Sequence, residues 1–191
     1  MKIMYIDIET TGFSTTKHEI IEISFILEVS GKKILSKTFF LRPEKLNTIN
    51  EMALKICGKS LSEVLTYPDR TAAFQEINNF LKSYKITGLD WYLCGHNIKA
   101  FDMRFINISP INLNSIIPIE PFKLIDTLKF IKKQYPKQPH NLQKFYEFCE
   151  LPTLKEWHNS LTDTIAVRRL NNNLIAKFGY YWEEESIIWQ A

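Results

Sequence analysis

The sequence is poor in the residues that staple or break a fold. Its three cysteines, Cys57, Cys94 and Cys149, lie far apart without a CxxC spacing, and an odd number cannot complete an intrachain disulfide set. A reducing compartment and a cytoplasmic protein are expected on that ground. Six glycines and eight prolines gather into no tract, so an ordered chain is expected short of its C-terminal end. No apolar run reaches the ~18 residues that a membrane crossing needs; even residues 20–29 carry Glu22 and Glu28. No membrane partner is expected. No signal peptide is expected either, because Asp7 and Glu9 interrupt the first apolar segment and no basic region precedes it. Strong charge of one sign is missing too. The net charge of +3 and pI near 8.6 suit a phosphate-bearing partner without requiring one.

What is present fits one folded domain: 191 residues, 45% of them hydrophobic, can bury one good core and are short for two. The most informative segment is the opening apolar run Ile3-Met4-Tyr5-Ile6-Asp7-Ile8-Glu9, which breaks at Thr10-Thr11-Gly12. On a strand, side chains alternate, so both carboxylates share one face while Met4, Ile6 and Ile8 share the other. Two anions about 7 Å apart repel by roughly 2 kcal/mol at an effective dielectric of about 20, before desolvation is counted. A divalent cation between them is the cheapest remedy, since hard cations take carboxylate oxygens.

Residues 19–29 and 33–41 alternate apolar with polar around Ser30-Gly31-Lys32, the pattern of a hairpin. Residues 42–68 read as loop with short helical pieces, and a helix follows Asp69 as its cap. A strand over 89–94 ends at Gly95-His96-Asn97, with a helix from about Lys99 to Ile108. After a loop with Pro110, Pro118 and Pro121 come an apolar piece, Phe122 to Ile125, and helical patterns near 126–135, 141–149 and 161–178. The alternation implies an α/β sandwich around a mixed sheet.

Asp163 opens the last helix on the stripe of Ala166, Val167, Leu170, Leu174 and Phe178. A carboxylate there is expensive unless paired. Asp102 stands in the same relation to Phe105 and Ile106, so both aspartates are expected to point inward. His158 precedes Asp163 by five residues, about 140° round a continuous helix, which places it on the entering loop or first turn. There an imidazole is free to approach and leave and suits a general base near neutral pH.

In order, Asp7-Ile8-Glu9-Thr10-Thr11-Gly12, then Gly95-His96-Asn97 with Phe101-Asp102, then His158 with Leu161, Asp163 and Ala166 resemble the three motifs of the DEDDh-type 3′→5′ exonucleases. That family includes the proofreading ε subunit of bacterial DNA polymerase III, ribonuclease T and oligoribonuclease. The likeness covers residues 1–178 and takes in Ile20-Ile21-Glu22-Ile23, Arg42-Pro43, Asp126-Thr127 and Asn141-Leu142.

The resemblance implies a ribonuclease H-like fold, a five-stranded mixed sheet flanked by helices, with residues 179–191 as a C-terminal tail. It implies two divalent metals, Mg²⁺ or Mn²⁺: Asp7, Glu9 and Asp163 would bind one, and Asp7 would bridge to a second held with help from Asp102. His158 would be the general base, and Thr10, Thr11, Gly12 and Asn97 would contact the last nucleotide. The implied reaction releases nucleoside 5′-monophosphates from single-stranded or frayed DNA ends, in proofreading. RNA trimming in the manner of ribonuclease T or oligoribonuclease stays open, as does a non-catalytic nucleic-acid-binding module docked on a DNA polymerase subunit. Partners are thus single-stranded DNA or RNA 3′ ends.

Two departures stand out. The His96-to-Asp102 spacing is one residue longer than is usual in the family, so the turn has to absorb it. Ser160 replaces a common alanine and is expected to be harmless. His96 reads as a structural histidine, His18 and His140 as surface residues, and Asp126 as a helix cap rather than a ligand. The stretch from Lys123 to Lys155 holds seven lysines against three acids, equally a phosphate path or a solvated helix face. The tail, with Tyr180, Tyr181, Trp182 and Trp189 among glutamates, folds back or docks on a polymerase.

Overall fold

The computed structural model describes residues 1–86, 90–111 and 123–180. The tail from residue 181, the Pro118 and Pro121 loop, Leu89 and Phe122 lie outside the described residues. The first three strands are β1 (Lys2–Thr10), β2 (Ile20–Val29) and β3 (Lys32–Phe40). β2 and β3 form the expected hairpin, with Ser30 at φ 50° and Gly31 at φ 79°, the two positive values that a tight hairpin turn requires. Residues 42–68 hold a 3₁₀ turn (Leu46–Thr48) and the short helices α1 (Glu51–Ile56) and α2 (Leu61–Val64). Helix α3 (Arg70–Ser83) starts under the Asp69 carboxylate, which accepts from Thr71 N and Ala72 N, satisfying two otherwise orphaned donors.

β4 (Trp91–Gly95), α4 (Asp102–Asn107), β5 (Lys123–Asp126), α5 (Thr127–Gln134), α6 (Leu142–Phe148) and α7 (Ser160–Phe178) complete the described fold. The sheet runs β3-β2-β1-β4-β5. β1 pairs antiparallel with β2 and parallel with β4, and β4 pairs parallel with β5. The carboxyl ends of β1, β4 and β5 therefore meet at one edge, where chains leaving parallel strands leave a crevice.

Each face of the sheet carries its own core. Met4, Ile6 and Ile8 pack with Phe74, Ile77 and Leu81 of α3 and Phe105 and Ile106 of α4. Ile3 and Tyr5 pack on the opposite face with Ala166, Val167, Leu170 and Leu174 of α7 and Phe145 of α6. Each Met, Ile, Leu, Val or Phe side chain among them contributes roughly 1.5–3 kcal/mol by leaving water. The period-two alternation of β1 thus decides which helix layer each residue meets. Phe178 departs from the expected stripe: it is 42% exposed and packs edge-on against Phe130. Asn171 is buried instead, donating to the Tyr5 hydroxyl at 2.9 Å. Among the described residues no helix is long and apolar enough to cross a membrane.

Candidate active site

Asp7 and Glu9 prolong the face of Ile3 and Tyr5 beyond the apolar layer, so they look toward α7. That helix runs antiparallel to β1. Asn171 bonds Tyr5 midway along the strand, and Ser160 Oγ lies 2.7 Å from Ser24 Oγ, on the residue paired with Asp7. The first turn of α7 is thereby set over the strand end and delivers Asp163. Carboxylate oxygens of Asp7, Glu9 and Asp163 all lie within 4.8 Å of one another. This is closer than strand spacing alone allows, because the side chains lean together. Each ionised pair would repel by about 3 kcal/mol at an effective dielectric of about 20.

The electrostatic consequence is uniform. Burial, then the charges of Asp102, Asp163, Glu9 and Glu22, hold the Asp7 carboxyl well above the usual range. Burial with Asp163 and Glu22 pushes Glu9 to about 9, Lys59 opposing. Burial raises Asp163 to about 7, with Glu22 adding and the His158 backbone N–H opposing. Asp102 is 3% exposed and lies outside the tight triplet; burial raises it to about 8 against the pull of its own N–H and that of Ile8. One more observation fits a cation. Asp163 Oδ1 is buried without a hydrogen-bond partner among the described residues, a costly state for an anion that an ion would relieve. An all-carboxylate donor set suits Mg²⁺ or Mn²⁺ better than Zn²⁺.

His158 sits where the five-residue offset placed it, on the loop entering α7. It is exposed and held at φ 63°, with Asn159 as the cap that accepts from Thr162 N. Helix α4 starts at Asp102, three residues later than the pattern predicts, because residues 97–101 form a turn that absorbs the extra residue. Asn97 takes a left-handed φ of 68°, which asparagine tolerates, and its carbonyl accepts from Ala100 N and Phe101 N. Asp126 is the cap it was read as, and more. Oδ1 accepts from Leu128 N, Lys129 N and Asn97 N, so one carboxylate fixes both the start of α5 and the turn leading to Asp102.

The Thr10-Thr11-Gly12 segment is held from within. Thr10 Oγ1 donates to the Gly12 carbonyl at 2.8 Å. Thr11 is 1% exposed, its N–H donates to Glu19 O and its hydroxyl accepts from Glu19 N. Thr11 thereby closes the loop between β1 and β2. Gly12 has no room for a side chain: a Cβ would lie 2.6 Å from the His18 ring. His18 is therefore not a surface residue; it is half-buried, with Nδ1 accepting from Ser14 N. His140 is likewise half-buried, its Nε2 donating to Tyr135 O. His96 is structural, joining Thr127 Oγ1 through Nδ1 and the His140 carbonyl through Nε2. Lys132, Lys133, Lys137 and Lys144 are exposed on α5, α6 and the turn between them.

Behind these acids stands a group whose role the sequence does not show. Glu22, the cross-strand partner of Glu9, is fully buried. Its Oε1 accepts from Ser160 N at 3.0 Å and Ser160 Oγ at 2.7 Å, and its Oε2 is paired with Lys59 Nζ at 3.1 Å. Ser160 is thus an anchor for Glu22. The available signal was Glu22 as one of two charges, with Glu28, in an otherwise apolar strand; Lys59 gave none.

The exonuclease family designated RNase_T matches residues 4–170. Over 181 residues the chain is 29% identical to the PolC-type DNA polymerase III of Ureaplasma parvum serovar 3, covering 91% of this chain and 12% of the polymerase. The zinc-bound E. coli exonuclease I complex with single-stranded DNA superposes with a TM-score of 0.74 at 16% identity, covering 94% of this chain and 41% of the other. Exonuclease X in complex with 5′ overhanging duplex DNA superposes with a TM-score of 0.66 at 22% identity over 97% of both chains. These superpositions establish the five-stranded, ribonuclease H-like fold.

Proposed function

Since the chain belongs to the RNase_T exonuclease family, we propose that it is a DEDDh-type 3′→5′ exonuclease that releases nucleoside 5′-monophosphates from single-stranded or frayed DNA ends. The observation that carries the reading is the convergence of Asp7, Glu9 and Asp163 within 4.8 Å, with Asp102 buried beside Asp7. Asp7, Glu9 and Asp163 would hold one divalent ion, and Asp7 with Asp102 a second. When bound, such ions supply the charge stabilisation that in-line displacement at a phosphodiester needs.

The chain's own groups do the rest. His158, exposed on its loop, takes the proton from the attacking water. Phe13 is 71% exposed and meets Phe101, the neighbour of Asp102, edge-on at 6.3 Å. An unburied aromatic beside an acidic recess suits stacking on the terminal base, worth about 1–3 kcal/mol. Phe13→Ala is therefore expected to raise KM for a single-stranded oligonucleotide about tenfold with kcat changed less, as read from initial rates. A KM left unchanged would remove Phe13 from the substrate path.

Deoxyribonucleotide ends are favoured by the single-stranded DNA in the exonuclease I complex and the duplex DNA on exonuclease X. The likeness to a PolC-type polymerase supports proofreading beside a polymerase subunit in the cytoplasm, with residues 1–178 as the catalytic unit. A 5′-labelled single-stranded DNA should shorten one nucleotide at a time with Mg²⁺ or Mn²⁺ and stop with chelator, and matched RNA should shorten more slowly. An intact oligonucleotide under these conditions would refute the exonuclease reading; faster loss of RNA would reassign it to RNA trimming.

A further inference from the structure

Behind the site stands a half-buried cation that the proposed reaction leaves without a task. Lys59 follows Gly58 in the turn between α1 and α2, its backbone N–H bonded to Leu54 O. Its side chain is 12% exposed and reaches Glu22 Oε2 at 3.1 Å and Glu63 Oε1 at 3.5 Å, passing over the Phe40 ring. Glu22 is fully buried in β2. Its other oxygen takes both the N–H and the hydroxyl of Ser160, the first residue of α7. With that hydroxyl proton committed to the carboxylate, the chain of hydroxyls runs from Thr38 through Ser24 to Ser160. Two strands, a helix and the Lys59 turn are tied together at one point, and Asp163 lies one turn further along that helix.

We infer that Lys59 is a positioning residue: through Glu22 and Ser160 it clamps the first turn of α7 to β2 and so sets Asp163 and the His158 loop against Asp7 and Glu9. The inference rests on the exonuclease reading for its kinetic consequences but not for its effect on metal binding. Physically, Glu22 adds a further carboxylate to a recess already crowded with them. Left unpaired, a buried carboxylate costs more than the pair contributes. Without Lys59 the cheapest relief is for Glu22 to turn away from Asp163 and Glu9, which releases Ser160 and lets the helix end shift. A ligand held by such an outer partner typically loses about 10–100-fold in metal affinity when the partner goes.

The test is a double-mutant cycle on the full chain with Lys59→Met, Glu22→Gln and the double variant, plus Lys59→Arg. Mn²⁺ binding is measured by calorimetry without oligonucleotide, and kcat and KM are measured on single-stranded DNA. Lys59→Met is expected to weaken Mn²⁺ binding about tenfold and lower kcat by a similar factor, with KM changed less than about twofold. Lys59→Arg should restore most of both. The double variant should bind Mn²⁺ better than Lys59→Met, because the uncompensated carboxylate is gone; it also serves should Lys59→Met fold poorly. A raised KM with Mn²⁺ binding unchanged would overturn the inference by assigning Lys59 to the substrate phosphate. So would strictly additive effects of the two substitutions, or an Arg variant no better than Met. Should the wild type leave DNA intact, the proposed function fails while the Mn²⁺ measurements still decide on Lys59.

Discussion

Asp7→Asn will slow hydrolysis of a single-stranded 3′ end by at least about 10³-fold and, with chelator present, will raise the melting temperature of the chain. Both effects follow from one position. Asp7 faces Asp102, Asp163, Glu9 and Glu22, so it is the shared oxygen donor for both proposed ions. Losing it removes several kcal/mol of charge stabilisation, and each 1.36 kcal/mol is tenfold in rate. Without ions the same carboxylate is a burden, being desolvated among like charges, and the amide relieves it at nearly constant shape.

The pH dependence has a definite sign. Glu9 is raised to about 9, Asp102 to about 8 and Asp163 to about 7, all above carboxyls of the unfolded chain. Between about pH 4 and 9 the folded chain therefore holds protons that the unfolded chain has released, so ion-free stability falls as pH rises through this window. A fall of about 5 °C or more in chelator between pH 6 and 9 is expected for a chain of this size, with Mn²⁺ flattening it and Asp7→Asn making it shallower. Melts recorded at pH 6, 7.5 and 9 with and without Mn²⁺ check this. A wild-type melting temperature in chelator that climbs over that range would show that the acids do not crowd one another.

His158→Asn should lower kcat by about 10²–10⁴, the usual contribution of a positioned general base, while Mn²⁺ binding and the melting temperature stay close to wild type. Asparagine is the better replacement than alanine here. His158 has a φ of 63°, which asparagine adopts readily and alanine does not. The backbone N–H that steadies Asp163 is kept either way. Because the residue is exposed on a loop, no core packing is lost with the ring. Single-turnover rates on labelled DNA, set beside calorimetry on the same preparation, separate proton transfer from metal binding. A rate within threefold of wild type would take His158 out of the chemistry.

Much of this was readable along the chain because the signals are local. Alternation in β1 told that Asp7 and Glu9 share a face opposite Met4, Ile6 and Ile8, and helical spacing told that Asp102 and Asp163 turn inward among Phe105, Ile106, Ala166 and Val167. Asp126 carried its cap in the residues that follow it. Other features depended on distant neighbours. The His18 ring fills the space beside Gly12, which no count of nearby residues reveals. The extra residue between His96 and Asp102 was visible as a length, but the way residues 97–101 absorb it depends on the Asp126 carboxylate 29 residues away.

The sequence by itself determined the acids, the histidine and the elements that carry them, since periods of two and of three to four residues are properties of a single segment. Tertiary structure alone decided that Glu22 lies opposite Glu9, that Ser160 and Lys59 close on it from a helix and a distant turn, and that Asp163 reaches within 4.8 Å of Asp7 and Glu9. The reason is register. Which residue faces which across strands and between layers is set by packing over the whole sheet, and no stretch of chain contains that information before it folds.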